Sequence, residues 1–561
     1  MSDELKKRVE AWHRKNVEEF KKERKPEEEF VSEAGIPLKR VYTPLDLEEK
    51  TFDYEADLGL PGEFPYTRGI TPIGYRGEPW AQSLYSGYGS PKESNQLWRE
   101  AVATGVETIY IAYDLPTQLG LDPDHPMAHG EVGRVGVSMT TQRDWETAFD
   151  GIDISHIHLS HVPNAVAAFQ MGNLICLANK KGADLSKITG HCMNDVLKEY
   201  TIRGNYIFPP SQSIRLAVDV VSYCRKLMPK YLTMSVTGLH FSEAQSTTVH
   251  EAAFMFADLF SYIEGALERG LDIDDIAPCI ELSTGIDHYS FFEDIAKHRA
   301  IRRIYARVMK DRYKAKKPAS MKARIGASQG GNSLQRKQYL NNLARSAVAA
   351  VATTLSGIER LSIRTYDEQY GIPSTEAMMT SSRLKYVITK ETDMLDVVDP
   401  LGGSYFIEWL TSEIEERICK EIEVIEKQGG AVACIENGYM KRQLVKDAYE
   451  WQKDFEAGKK IRVGTNFATT DEQEMPSRVY RTDPKVELER IKDVESVKCS
   501  RDNDKVKRAL DAIKEIALLP SGEENNLMVP IIEAVKCYAT NGEVADALRE
   551  VWGEYNLKRV F

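Results

Sequence analysis

Between about residue 105 and residue 366 the chain alternates short, largely apolar runs with longer helix-forming segments, and this rhythm limits the folds open to it more than any other feature. The runs are ETIYIAYD (107–114), HIHLSHV (156–162), KITGHCMND (187–195), YLTMSVTG (231–238), IAPCIELS (276–283), MKARIGASQ (321–329) and RLSIRTY (360–366). Each is followed by a segment of helical length, such as 243–269 or 290–312, with a repeat of roughly 35–45 residues. Runs that stay apolar instead of alternating with polar residues predict strands buried on both faces, as in a parallel sheet covered by helices. Seven or eight such units in sequence predict an α/β protein built as a (β/α)8 TIM barrel in preference to an open doubly wound sheet.

In such a barrel the chemistry belongs at the carboxyl ends of the strands. Those ends are polar here, carrying Asp114, the stretch His191 to Asp195, His240, Ser283, Gln329 and Arg364, while the strand centres are apolar. For any one of them the plain alternative is that strands become polar where they leave the core. Three segments follow: 1–50 as an N-terminal helical arm that wraps a partner or lies solvated, 51–465 as the barrel with its leading segment, and 466–561 as a linker and C-terminal helical extension. The arm shows a narrow apolar stripe of Leu5, Val9, Trp12, Val17 and Phe20. The linker 466–485 is polar and broken by Pro476 and Pro484, and two helical patterns follow near 485–517 and 527–553.

Bulk properties exclude several classes. A net charge of -12 gives no basic footprint for nucleic acid. No run approaches the roughly 18 apolar residues of a membrane span, and the N-terminus lacks the apolar core of a signal peptide. The 8 cysteines form no C-x-x-C pair, which argues against a zinc site or disulfide framework and fits a reducing, cytoplasmic setting. His156, His158 and His161 invite a metal reading, but no carboxylate or cysteine completes a ligand set, so no metal is expected. SQGGNS (328–333) is either a turn or a backbone cradle for a phosphate or an amide-rich cofactor. Neither G-x-x-x-x-G-K-[ST] nor G-x-S-x-G occurs, which weakens NTPase and hydrolase readings.

The most specific signal is a series of longer motifs: PGEFPYTRG (61–69) with PW (79–80) and KESN (92–95), AYDLPTQLGLDPDHP (112–126), GEVGRVGV (130–137), NDVLKEYTIRGNYIFPP (194–210), SVTGLHFSEA (235–244), DEQYGIP (367–373) and DPLGGSYFIEWLT (399–411). In order and spacing, from roughly residue 10 to the C-terminus, this set resembles the methylmalonyl-CoA mutase family. The resemblance implies a barrel whose axis admits a CoA ester and whose C-terminal face is capped by adenosylcobalamin on a Rossmann-like domain. That domain is absent from this sequence, as is the D-x-H-x-x-G that supplies a lower axial ligand. A separate small cobalamin-binding subunit carrying D-x-H-x-x-G is therefore expected, in a heterodimer or heterotetramer, with a GTPase chaperone as a further candidate partner.

The resemblance also assigns residues. Tyr85, counted from PW, matches the aromatic wedge over the corrin; its plain alternative is core packing. Arg203 matches the arginine that grips the free carboxylate of the substrate, and His240 the histidine that donates to the thioester carbonyl. Tyr113, Glu243, Gln329 and Glu368 match cofactor-facing positions. Ala112, Met193, Leu239 and Arg364 fall in the substrate pocket. The implied reaction is a radical 1,2-rearrangement of a dicarboxylic acyl-CoA, in which the cofactor performs homolysis and hydrogen abstraction while the protein excludes water.

The sequence departs from the family pattern near the CoA. Glu78, Ser83 and Cys279 stand where the family carries arginines, and Ser362 and Arg364 replace a histidine and an asparagine. Met193 and Leu239 replace a glutamine and a tyrosine, which favours a bulkier substituted succinyl- or malonyl-CoA as an alternative substrate. Two readings from other classes remain. A non-catalytic cobalamin-binding scaffold would not need Tyr85, Arg203 and His240 together, and a phosphate-handling barrel lyase would turn over without cobalamin.

Overall fold

The structure is a computed structural model that describes residues 2–18, 30–82, 84–103, 105–371, 373–470 and 482–556. Among the described residues ten short strands carry the sheets: β1 (Ala81–Gln82), β2 (Leu84–Ser86), β3 (Thr108–Ile111), β4 (His158–His161), β5 (Gly190–His191), β6 (Tyr231–Leu232), β7 (Met234–Thr237), β8 (Ile280–Ile286), β9 (Ile325–Gln329) and β10 (Arg360–Ser362). They form three sheets, ordered β1-β10-β9-β8-β7, β2-β3-β4 and β5-β6. Every strand pairing is parallel. Only residue 83 separates β1 from β2 and only Thr233 separates β6 from β7, so each junction carries the chain from one sheet into another. Isolated parallel bridges His158↔Thr189 and His161↔Cys192 set β4 beside the β5 segment.

All seven apolar runs contain a strand. Strands β3, β7, β8 and β9 are buried along their whole length, as expected where helices cover the outer face of a parallel sheet. The register is tight enough to dictate residue type. At Gly190 a Cβ would lie 1.8 Å from the Leu159 carbonyl oxygen, so nothing larger than glycine fits between β4 and β5. The covering helices include Ala167–Lys181, Thr248–Leu267, Phe291–Arg307 and Asn341–Leu355. Helix Tyr405–Lys427 buries Ile407, Leu410, Ile414, Ile418, Ile422 and Ile425, a stripe at three- and four-residue spacing, and packs on Phe291–Arg307.

Several local expectations change. The strand pair β1 and β2 lies in the leading segment, outside the apolar rhythm. His156 precedes β4, and its side chain is exposed beside Asp153. The two C-terminal helical patterns are each two helices, Pro484–Ser500 with Asn503–Leu518, and Met528–Lys536 with Asn541–Trp552. Side-chain caps make the breaks: Asp502 accepts from Lys505 N, and Thr540 forms a capping box with Glu543. The arm is helical over Ser2–Trp12 and His13–Glu18, with Val17 buried. Phe20, Ser83 and linker residues 471–481 lie outside the described residues. Among the described residues no helix is long and apolar enough to cross a membrane.

Candidate active site

The segments that leave the carboxyl ends of β2, β3 and β10 meet in one region, and Arg203, His240, Glu243 and Gln329, which follow or end β5, β7 and β9, lie close to its Tyr85 and Arg364 without lining the cavity. A cavity of about 1170 Å³ opens there, lined by Tyr85, Ala112, Ser362, Arg364 and Glu368 and walled on its far side by Glu487 and Leu488 of helix Pro484–Ser500. Tyr85 sits on β2 and is 38% exposed. Its ring meets the Tyr110 ring edge-on at 5.2 Å, and the Arg364 guanidinium lies 5.7 Å from its centre.

Arg364 is held from below. Its Nε donates to the Gln329 carbonyl oxygen at 3.0 Å, and the Gln329 side-chain oxygen accepts from Arg364 N and from Ser346 Oγ. Its guanidinium stands 3.6 Å from Glu368 and 3.8 Å from Glu243, so one cation serves two carboxylates. Burial pushes Glu368 above its ordinary 4.5, and Arg364 pulls it back.

Arg203 ends a single π-helical turn, Glu199–Arg203, terminated by Gly204 at a φ of 86°. Its Nη1 donates to Glu199 at 3.1 Å and its Nη2 to Gln118 at 3.3 Å. Glu199 is fully buried; it also accepts from Asn205 N and pairs with buried Lys198 at 3.2 Å. The guanidinium is thus fixed on two nitrogens while its side chain remains 28% exposed. Gln118, Lys198 and Glu199 were not singled out from sequence, although all three lie inside the quoted motifs.

His240 lies in the short helix Leu239–Glu243 that follows β7. Its Nδ1 is buried and has no hydrogen-bond partner. Burial, reinforced by the charges of Arg203, Lys198 and Arg364, holds the imidazole well below 6.5, so it is neutral at physiological pH. The charges of Arg203, Arg364, Glu368 and Glu243 likewise act on Tyr85. Tyr85, Arg203, His240, Glu243, Arg364 and Glu368 therefore share one electrostatic neighbourhood.

Other positions sit differently. Met193 is buried against Tyr110 and Val162, beneath the Tyr85 ring, and Leu239 is 6% exposed beside His240. Tyr113 turns away from the cavity into the core, fully buried, with its hydroxyl 2.9 Å from His161 Nδ1. Cys279 immediately precedes β8, at the opposite end of the strand from the cavity, and burial raises its thiol to about 11. Glu78 is exposed ahead of β1. Among the described residues no group of three His, Cys, Asp or Glu side chains is arranged to hold a metal ion.

A parallel α/β scaffold with a large cavity and a charged cluster at its strand ends defines an enzyme of the α/β class. Residues 31–554 match the family model described as methylmalonyl-CoA mutase. The 2-hydroxyisobutanoyl-CoA mutase large subunit of Aquincola tertiaricarbonis is 35% identical over 551 residues, covering 98% of this chain and 97% of that protein. Methylmalonyl-CoA mutase of Rhizobium meliloti (strain 1021) is 34% identical over 526 residues, covering 93% of this chain and 72% of that protein. The mitochondrial methylmalonyl-CoA mutase of Homo sapiens is 32% identical, with 93% and 68% covered. The chain belongs to the methylmalonyl-CoA mutase family, and by class it is an isomerase.

Proposed function

We propose that the chain is the catalytic subunit of an adenosylcobalamin-dependent mutase that rearranges the carbon skeleton of a dicarboxylic acyl-CoA of the methylmalonyl-CoA and succinyl-CoA type. One observation carries this reading: an aromatic ring that lines a cavity of about 1170 Å³ shares one electrostatic neighbourhood with a clamped guanidinium and a neutral imidazole that has an unpartnered buried nitrogen. On this reading the three parallel sheets are sectors of a single (β/α)8 barrel, joined through the β1–β2 and β6–β7 junctions and the bridges beside β4.

The residues present fit the cofactor. The cavity mixes apolar walls with polar groups, Glu368 lines it, and Glu243 shares Arg364 with that carboxylate. When bound, adenosylcobalamin supplies the hydrogen-atom abstraction that opens a 1,2-rearrangement. Arg203, steadied by Glu199 and Gln118, binds the substrate carboxylate through a charge-assisted pair. His240 donates an N–H to the thioester carbonyl, where electron density builds during rearrangement. Tyr85 caps the reacting centre and keeps water out. A separate small subunit with D-x-H-x-x-G brings the cofactor, supported by the near-complete match to a relative named a large subunit.

The test is reconstitution. Mixed with the small subunit and adenosylcobalamin, the chain should interconvert methylmalonyl-CoA and succinyl-CoA, and omission of the cofactor should abolish turnover; conversion without it would overturn the reading. Including bulkier 2-substituted succinyl-CoA esters in the same assay separates the substrate alternatives.

Two further outcomes follow. Tyr85→Ala should lower kcat by at least about tenfold with KM for the acyl-CoA within about twofold, because the ring acts on the way to the transition state and not in ground-state binding. A rise in KM at constant kcat would place Tyr85 in simple binding. Because the folded protein holds His240 well below 6.5, the neutral imidazole persists as pH falls. The profile of kcat/KM should therefore show no limb near 6.5 assignable to His240, which a His240→Gln variant checks; a limb that disappears in that variant would mean that the imidazole titrates normally.

A further inference from the structure

Arg203 and His240 stand on different segments, one following β5 and the other following β7, and both segments are fastened to the same buried carboxylate. Asp195 lies between β5 and the Glu199–Arg203 turn and is 0% exposed. Its Oδ2 accepts from the backbone N of Thr237, the last residue of β7, at 2.9 Å. Thr237 Oγ1 in turn accepts from Leu239 N at 3.3 Å, directly ahead of His240. The other oxygen of Asp195, Oδ1, accepts from the Tyr262 hydroxyl at 3.0 Å.

Tyr262 belongs to helix Thr248–Leu267 and is 3% exposed. Its hydroxyl oxygen accepts from Val196 N at 2.8 Å and from Leu197 N at 2.9 Å. A phenol has one hydrogen, and with two amide N–H groups occupying the oxygen that hydrogen goes to Asp195, so the direction of every bond is settled. The two amides begin the run into Lys198, whose ammonium donates to Asn164 Oδ1 and to the Asp195 carbonyl, each at 2.8 Å, and pairs with Glu199 at 3.2 Å. Glu199 then holds Arg203. A continuous set of bonds therefore leads from Tyr262 and Asp195 to His240 on one side and to Arg203 on the other. The helix that carries Tyr262 is packed against Tyr405–Lys427 and Pro210–Leu227, which makes the hydroxyl a fixed point between two loops.

Charge supports the same reading. Asp258 lies one turn before Tyr262 on that helix, 0% exposed, and neither of its oxygens has a hydrogen-bond partner. Burial raises its carboxyl well above 3.8, and Asp195 adds to the effect. Burial raises Asp195 too, but Lys198, Thr237 N and the Tyr262 hydroxyl pull it back. The proton of the pair stays on Asp258, and the negative charge stays on Asp195, where the donors meet it.

We infer that Tyr262 and Asp195 are positioning groups that set the spacing between Arg203 and His240, and that this spacing selects the number of carbons between the free carboxylate and the thioester of the acyl-CoA. The inference rests on the acyl-CoA reading above and deepens it, since neither group touches substrate. A ligand anchored at both ends must match the spacing, whereas one that offers only a thioester follows His240 wherever it stands.

The experiment is calorimetric titration of the purified full chain with free CoA, butyryl-CoA, succinyl-CoA and glutaryl-CoA. Wild type should prefer succinyl-CoA to glutaryl-CoA, which is one methylene longer, by about tenfold or more. Tyr262→Phe keeps the ring and removes the hydroxyl, leaving Val196 N and Leu197 N without their acceptor. It should bind succinyl-CoA about tenfold more weakly, keep butyryl-CoA and free CoA within about twofold, and narrow the preference over glutaryl-CoA to about threefold or less. A merely structural role would weaken all four ligands alike. Asp195→Asn, which keeps one acceptor oxygen in place of two, should move the same ratio in the same direction and serves if Tyr262→Phe fails to fold. Equal weakening of all four ligands, a succinyl-to-glutaryl ratio unchanged in the variants, or a wild type without that preference overturns the positioning role and leaves the function standing. A wild-type chain that binds none of the four overturns the acyl-CoA reading as well.

Discussion

Arg203→Ala should weaken binding of succinyl-CoA by about 2–5 kcal/mol, which is about 30-fold to a few thousand-fold, while leaving the affinity for free CoA unchanged. The size of the effect comes from preorganisation. Two nitrogens of the guanidinium are already committed to Glu199 and Gln118, so little side-chain freedom remains to be lost when a carboxylate arrives. Removing the guanidinium also leaves Glu199, fully buried, with Lys198 as its remaining cation. Arg203→Lys restores the charge without the planar fork and should recover only part of the affinity. Titration of succinyl-CoA into both variants gives the answer, and wild-type affinity in Arg203→Ala would mean that the carboxylate is held by another group.

How much of this arrangement the sequence discloses depends on the range of the interaction involved. Apolar runs such as TIYI in β3 declare themselves because burial on both faces is written in consecutive residues. Strand β2 does not, since a three-residue strand in a segment rich in glycine and proline gains its identity only by pairing with β3. The same limit applies at the site. Arg203 and His240 stand in motifs long enough to be matched and Tyr85 is reached by counting from PW, but the Gln118 contact that fixes Arg203 spans 85 positions and the Glu281–Arg360 pair 79. Tyr113 illustrates the opposite case. It neighbours Ala112 in the chain, yet extended backbone sends successive side chains to opposite faces, so Ala112 lines the cavity and Tyr113 enters the core. The C-terminal helix breaks lay in plain view as capping residues, at Asp502 and in the Thr540–Glu543 box, within patterns whose apolar periodicity continued across them.

The position of Tyr85 depends in turn on how the leading segment is fastened, and this sets the largest expected effect on stability. Helix Phe291–Arg307 presents four arginines toward that segment and toward helix Tyr405–Lys427. Arg299, 1% exposed, pairs with Asp399 and Glu408. Arg302 donates to the Thr67 carbonyl, Arg303 reaches the Asp57 carbonyl and Ser412, and Arg307 bridges Asp57 and Glu415. Arg68 of the leading segment completes the lattice by pairing with Asp399 at 3.0 Å. Arg299→Met keeps much of the volume but strands Glu408, which is 0% exposed and whose Oε2 already lacks a partner. Breaking a buried pair from one side should cost about 3–5 kcal/mol, because an uncompensated charge remains in the core. Adding Glu408→Leu to Arg299→Met removes that charge and should recover a large part of the loss, although Asp399, still paired with Arg68, keeps the recovery incomplete. Chemical denaturation of the wild type, the single variant and the double variant measures both steps. A single variant as stable as wild type would mean that the lattice does not secure the segment ahead of β1 and β2, and the placement of Tyr85 would then have to come from its contact with Tyr110 and the pairing of β2 with β3.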